Sequence, residues 1–171
     1  PAVVEGLREL ARRGIPYDLL LRPAHMPVAV ELLEAVPDLR CVIDHIAKPE
    51  IATGGWEPWA TEMRKLAAVP GMHVKLSGMI TEAKNPGWTA ADLRPYVQYV
   101  LELFGPERCM FGSDWPVCLL AGSWKEVLAA FTQALGAQSV AVRSRILGET
   151  VAEFYRLRVA NNASNAEANK K

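Results

Sequence analysis

One short apolar run that gives way to polar residues decides the fold, and it reads Arg40-Cys41-Val42-Ile43-Asp44-His45. A continuous apolar run of this length is typical of a strand that is buried on both faces of a parallel sheet. Three further runs have the same character, at residues 17–21, 72–76 and 108–111. The sequence therefore predicts four buried strands, the second of which covers residues 40–43.

Helical periodicity fills the intervals around these strands. Apolar residues recur at helical spacing in six stretches, at residues 3–11, 28–36, 59–67, 93–104, 124–135 and 142–157, the last in one or two pieces. Thr89 and the pair Ser123 and Glu126 provide N-terminal caps for two of these helices. Strands that alternate with amphipathic helices predict an α/β protein with a parallel sheet, either a small doubly wound sheet or half of a (β/α) barrel.

Length and composition restrict the class of protein. The chain has 171 residues, of which 50% are hydrophobic and 22% charged, with 19 basic side chains against 19 acidic ones. A net charge of zero argues against non-specific binding to nucleic acid or to a membrane surface, and no apolar run approaches the roughly 20 residues of a membrane span. We expect one domain over residues 1–158 and a disordered tail over residues 159–171, whose composition is almost entirely Ala, Asn, Glu and Lys.

The cysteines indicate a reducing compartment. The chain has three, Cys41, Cys109 and Cys118, and no Cys-x-x-Cys pair. An odd number without a metal-binding or redox spacing is typical of buried, reduced thiols. We therefore expect a cytoplasmic protein.

Polar side chains follow each predicted strand. In chain order they are Arg22 and His25, then Asp44, His45 and Lys48, then Lys75 and Ser77, and finally Ser113 and Asp114. Because the C-terminal ends of parallel strands share one rim, these side chains can converge although they are distant in sequence. The sequence thus predicts an active site at that rim.

His45 and Asp114 are the strongest candidates for chemistry. A neutral imidazole at a strand exit can bind a divalent metal or move a proton, although a purely structural hydrogen bond explains His45 equally well. A carboxylate directly after a buried strand needs a cation or several donors, although Asp114 could also be an N-cap. Together they supply two metal ligands, whereas a catalytic zinc site normally has three and a water. Asp44 is expected to support the loop or His45.

We expect a second group of residues to contact a small-molecule substrate. Ser77 shares a strand face with Lys75, and near the rim of a barrel it would contact the ligand, although its residue type and position favour packing in a polar layer. His25 lies in a loop and is equally compatible with simple exposure to solvent. The full set of expected substrate contacts is Arg22, His25, Lys48, Ser77 and Trp115.

Three ordered segments resemble one family. They are residues 42–49 (VIDHIAKP), 74–78 (VKLSG) and 110–116 (MFGSDWP), and residues 146–157 are similar to the family's final helix. The likeness is to the amidohydrolase-related branch of the amidohydrolase superfamily, with the sugar-lactonase-like members as the nearest group. It implies the second half, strands five to eight, of a (β/α)8 barrel, with His45 ending strand six and Asp114 ending strand eight.

The resemblance also implies a chemistry. The implied chemistry is hydrolysis of a lactone or a related carboxyl derivative by an activated water, with Asp114 as general base and then as general acid. A divalent ion, often zinc, would be bound by His45 and Asp114, but some lactonase-type relatives work without metal.

The sequence departs from the family pattern at three places. No two histidines are two residues apart, so the His-x-His pair of the first barrel strand has no counterpart. Arg22 stands where many relatives have a ligand histidine, and Glu149-Thr150-Val151 replaces an Asn-Ala start of the last helix. A complete barrel usually needs about 250 residues, so we expect an N-terminal half, or a second copy, as the partner of this one.

Two other readings stay open at this point. A half-barrel could bind a small molecule or associate with another protein without catalysing a reaction, because unpaired strand edges favour association. A doubly wound phosphate-binding domain is less well supported, since the sequence contains neither G-x-G-x-x-G nor a Walker motif.

Overall fold

The computed structural model describes residues 2–158 and contains one four-stranded parallel sheet. Its strands, β1 to β4, are Tyr17–Leu20, Cys41–Asp44, His73–Leu76 and Cys109–Phe111. All four strands were predicted from the apolar runs, with bounds that agree within one residue. The predicted tail at residues 159–171 lies outside the described part of the chain.

Seven α-helices accompany the sheet in the described range. They are, as α1 to α7, Ala2–Arg12, Met26–Glu34, Trp59–Ala67, Ala90–Phe104, Trp124–Leu135, Val140–Ser144 and Thr150–Tyr155. A π-helical segment, Arg145–Glu149, joins the last two, so the final predicted helix is divided into two pieces. None of the helices described is long and apolar enough to cross a membrane.

Both predicted helix caps are present. The backbone N–H of Thr89 donates to Asp92 Oδ2 at 2.7 Å, and the N–H of Ser123 donates to Glu126 Oε2 at 2.7 Å. These bonds satisfy N–H groups that a helix start leaves without partners. Gly105 and Gly136 follow the two helices with positive φ, as expected for residues that end a helix.

The strand order is sequential, β1-β2-β3-β4, with every neighbour parallel. A doubly wound sheet reverses its order at a switch point, and this sheet has no such reversal. The doubly wound alternative is therefore wrong, and the sheet has the winding of successive (β/α) units in a barrel.

The two faces of the sheet have different coverings. Val42 and Ile43 are both fully buried but belong to different clusters, because adjacent strand residues point to opposite faces. Ile43 lies in the main core with residues of α1 to α5, whereas Val42 packs with Met110 and Phe154. We call the face that carries Val42 the inner face, and α7 covers part of it.

Candidate active site

The site is built around a contact between β2 and β4 at their C-terminal ends. His45 follows β2 directly, and its Nε2 lies 3.5 Å from Oδ1 of Asp114, three residues beyond β4. Both side chains are mostly buried, at 19% and 10% exposure. The other carboxylate oxygen of Asp114, Oδ2, is buried and has no hydrogen-bond partner among the described residues. A buried carboxylate oxygen without a donor is costly, so this atom is suited to accept a proton or to bind a cation.

Ser77 supports the imidazole from the other side. Its Oγ lies 2.8 Å from His45 Nδ1, and the residue is only 2% exposed. Ser77 follows β3 directly and therefore lies at the rim. Its hydroxyl is engaged by His45 here, and the predicted contact with substrate stays a prediction.

The backbone that carries these groups is unusual. His45, Ile46, Ala47 and Lys48 all have positive φ, between 45° and 57°, and Asp114 has φ 59°. We call residues 45–48 the left-handed turn. Such backbone costs an L-residue roughly 1–2 kcal/mol per position, and it persists where surrounding contacts enforce it. The Trp59 indole N–H donates to Ile46 O at 2.7 Å, which fixes the middle of the turn.

A second cluster of charges lies next to the left-handed turn. Lys48 Nζ lies 2.8 Å from Glu82 Oε1, and Arg22 Nη1 lies 3.9 Å from Glu82 Oε2. The side chain of Arg22 is 62% exposed, so it remains accessible to a ligand. Sequence reasoning missed Glu82, because it lies in a loop beyond β3 and does not follow a strand directly.

The side chains of His25 and Trp115 differ in how accessible they are to a substrate. His25 Nδ1 accepts a hydrogen bond from the backbone N–H of Arg22 at 3.2 Å, so its ring takes part in the local turn. Trp115 follows Asp114 and is 66% exposed, which leaves an aromatic surface open beside the carboxylate. The predicted substrate contacts of both residues stay predictions, and Trp115 has the more accessible side chain.

A network of ion pairs and hydrogen bonds occupies the inner face next to the site. Lys75 Nζ lies 2.6 Å from Asp18 Oδ2 and 2.7 Å from Asp44 Oδ1, and the Tyr155 hydroxyl donates to Asp18 at 2.8 Å. Burial alone would lower the pKa of Lys75, but the neighbouring carboxylates of Asp18 and Asp44 and the hydroxyl of Tyr155 outweigh burial and raise that pKa above its usual value. Asp44 therefore ties β2 to β3 immediately before His45.

The residues present fit part of a divalent metal site. His45 Nε2 and the carboxylate of Asp114 provide one nitrogen and one oxygen donor of the kinds that zinc binds. Within residues 2–158 no group of three or more ligating side chains comes together. A catalytic zinc normally has three protein ligands, so a third would have to come from outside the described residues.

Comparison with known proteins identifies the family to which this chain belongs. A family model described as amidohydrolase matches residues 1–157. The chain belongs to the amidohydrolase family, as the three ordered segments predicted. Its fold is that of half a (β/α)8 barrel, and the sequence-based prediction of fold class is confirmed.

Three of the similar curated relatives are named as lactonases. An L-fucono-1,5-lactonase from Burkholderia ambifaria is 38% identical over 164 residues, which covers 92% of this chain and 55% of the relative. An L-rhamnono-gamma-lactonase from Scheffersomyces stipitis is 30% identical over 129 residues, which covers 63% of this chain and 38% of the relative. The chain thus spans about half the length, or less, of these relatives.

A solved structure agrees with this placement. An amidohydrolase from Burkholderia multivorans with bound zinc superposes with a TM-score of 0.85 at 35% sequence identity. The match covers 91% of this chain and 57% of the solved chain. The four-stranded arrangement therefore corresponds to a little more than half of a larger amidohydrolase.

Proposed function

We propose that the protein hydrolyses a sugar lactone, an intramolecular ester of a polyhydroxy acid, with a water activated beside His45 and Asp114. The observation that carries this proposal is the 3.5 Å approach of His45 to Asp114, together with the buried, unpartnered Oδ2 of Asp114. The names of the L-fucono-1,5-lactonase and L-rhamnono-gamma-lactonase relatives support the substrate class.

Asp114 is the proton carrier in this reaction. Its Oδ2 accepts a proton from a water molecule as the water oxygen forms a bond to the lactone carbonyl carbon. The resulting tetrahedral species collapses, and the bond between that carbon and the ring oxygen breaks. Asp114 returns the proton to the departing ring oxygen, so the products are a hydroxyl and a carboxylic acid. His45 orients the carboxylate through the Nε2 contact.

His45 and Asp114 would also hold a divalent ion, with zinc as the proposed metal. When bound, such an ion polarises the carbonyl and lowers the pKa of water. The zinc-containing relative supports this proposal.

Exposed side chains at the rim would recognise the sugar. Trp115 offers an open aromatic surface for the apolar face of a sugar ring. Arg22 can donate to ring hydroxyls or to the product carboxylate, because its side chain is exposed and only loosely paired with Glu82. Lys48 is more buried and pairs closely with Glu82, so it shapes the rim.

The test is hydrolysis of a panel of 1,4- and 1,5-aldonolactones by the protein expressed from its natural gene, followed with a pH indicator. We expect turnover of at least one lactone and a loss of about 1,000-fold or more in Asp114→Asn. Thr150→Val is the matched control, because it removes a buried hydroxyl that bonds to Pro106 O, away from the rim. Absence of turnover with every lactone, or full turnover in Asp114→Asn, would refute the proposal.

Association with a further protein segment is a second candidate role. Val117, Leu119 and Leu120 are 46%, 58% and 76% exposed, close in sequence to Trp115, and exposed apolar side chains of this kind favour association. Within the described sheet, β1 and β4 each pair on one side only. Size-exclusion chromatography tests association with a second copy of the chain, which a strictly monomeric protein would contradict. The buried thiols of Cys41 and Cys109 support a reducing compartment such as the cytoplasm for either role.

A further inference from the structure

Gly78 has a feature that the proposed reaction does not use. It has φ +62°, and a Cβ at this position would lie 2.6 Å from both Cβ and Cγ of His45. Real side chains do not approach so closely. The His45 ring therefore rests against the Gly78 backbone, and it can do so only because residue 78 has no side chain.

Ser77, the preceding residue, fixes the rotation of the same ring. Its hydroxyl lies 2.8 Å from His45 Nδ1. Ser77 is itself confined, because a Cβ on Gly112 of the neighbouring segment would lie 3.1 Å from the Ser77 Cβ. The backbone of Gly112 thus lies close beside Ser77, and the imidazole is held both at Nδ1, by the Ser77 hydroxyl, and near its Cβ and Cγ, by Gly78.

Together, these two contacts determine the direction in which Nε2 of His45 points. When Nδ1 bonds to Ser77 and the ring lies on Gly78, Nε2 is left to face Asp114 Oδ1. The hydroxyl of Ser77 can donate or accept, so it holds the ring whichever nitrogen carries the proton. A carboxylate partner could only accept and would keep a proton on Nδ1.

We propose that Ser77 and Gly78 are positioning residues that aim His45 Nε2 at Asp114. The catalytic consequence of this inference rests on the proposed lactone hydrolysis, whereas the structural consequence does not. The two residues act through His45 and contact no reacting atom. Their removal should therefore change the rate of the chemical step more than the binding of substrate.

The experiment compares two variants with two matched controls. Ser77→Ala removes the buried hydroxyl, and Thr150→Val is its control, since Thr150 is equally buried and hydrogen-bonded but remote from the rim. Gly78→Ala adds a methyl group against His45. Gly54→Ala is its control, since Gly54 has φ +70° and no atom within 4 Å of the added methyl. Both members of the first pair lose a buried hydroxyl, and both members of the second pair place an alanine at a positive φ. Within each pair, only the first variant changes a contact with His45.

Two measurements are made on the protein expressed from its natural gene. The first is the ¹⁵N chemical shift of the His45 ring, assigned against His25 and His73 by substitution. The second is kcat and KM on the best lactone. We expect Ser77→Ala and Gly78→Ala to shift the His45 ring signals and to lower kcat by 10- to 100-fold with KM within about threefold, by analogy with residues that orient functional histidines. The controls should do neither.

Unchanged His45 ring signals in Ser77→Ala would overturn the inference, as would equal effects of each variant and its control. If the wild type hydrolyses no lactone, the proposed function fails, and the ring signals alone still decide whether Ser77 and Gly78 position His45. If Gly78→Ala does not fold, Ser77→Ala decides the matter, because it adds no atoms.

Discussion

The ammonium group of Lys75 lies 2.7 Å from the carboxylate of Asp44 and so ties β3 to β2 one residue before His45. The same ammonium lies 2.6 Å from Asp18 on β1. One cation therefore connects three neighbouring strands on the inner face, and it balances two carboxylates that would otherwise repel each other.

Replacing this cation should destabilise the fold. For Lys75→Met we expect a loss of about 1–3 kcal/mol in the free energy of unfolding at pH 7, less than for a fully buried pair because Asp18 is partly exposed. Because the folded state raises the pKa of Lys75, the loss should be present at all pH values from 7 to about 10 and should shrink only as lysine deprotonates at higher pH. Urea titrations at several pH values measure it, with the exposed Lys84→Met as the control.

Among the histidines of this chain, His45 should determine the affinity for zinc. His45→Ala and Asp114→Ala should each weaken Zn²⁺ binding at least about tenfold, since each removes a ligand. His25→Ala should have little effect, because the ring of His25 is engaged with the backbone of Arg22. Competition with a chromophoric chelator measures the affinity, and an equal loss in all three variants would contradict the proposed ligands.

Trp115 should affect the binding of substrate and leave the chemical step intact. Trp115→Ala is expected to raise KM by about tenfold and to leave kcat within about threefold, which is the pattern of lost uniform binding. Trp124→Ala is a suitable control, since it removes another exposed indole, at the start of α5. A fall in kcat without a change in KM would assign Trp115 a different role.

His73 should make the protein less stable in mild acid. Burial lowers its pKa, the charges of Arg108 and Arg145 lower it further, and the Gly71 carbonyl and Glu153 oppose them. A histidine with a lowered folded pKa takes up its proton more readily when unfolded, so stability falls as the pH drops below about 6.5 toward the folded pKa. The stability advantage of the wild type over His73→Gln should therefore shrink between pH 7.5 and pH 5.5. Parallel pH profiles of the two proteins would disprove this assignment.

Cys41 and Cys109 should be inert in the folded protein. Burial raises the pKa of Cys109 to about 12, and burial, with the charge of Asp18, raises the pKa of Cys41 to about 12. Because the thiolate is the reactive form, neither should react with Ellman's reagent at pH 8 until urea unfolds the chain. Rapid labelling of either cysteine in the native protein would show that the core opens readily.

Much of the fold could be predicted because parallel strands buried on both faces leave a clear sequence pattern. The run ending at Ile43 and the run ending at Phe111 are apolar throughout, and the polar residues that follow them had to lie at one rim. The approach of His45 to Asp114 follows from that geometry, and the structure places the two side chains together.

Other features leave no such pattern. The left-handed turn consists of residues that rarely adopt positive φ, so their residue types do not predict it. Phe154 has ordinary helical spacing, but spacing alone does not say which face of the sheet a helix covers, and Phe154 packs on the inner face beside Val42. Glu82 acquires its role from Lys48 and Arg22, which are distant in sequence.

The bond from the Trp59 indole to Ile46 O has a consequence for the working temperature of the protein. Trp59 also packs against Tyr96 and Tyr99, with ring centroids 5.2 and 5.7 Å away. The left-handed turn is thus anchored in the aromatic packing between α3 and α4, and it loses its anchor when that packing loosens. Heat that disorders these rings should release His45 from Asp114 at the same time, so activity and aromatic packing should fail together on warming.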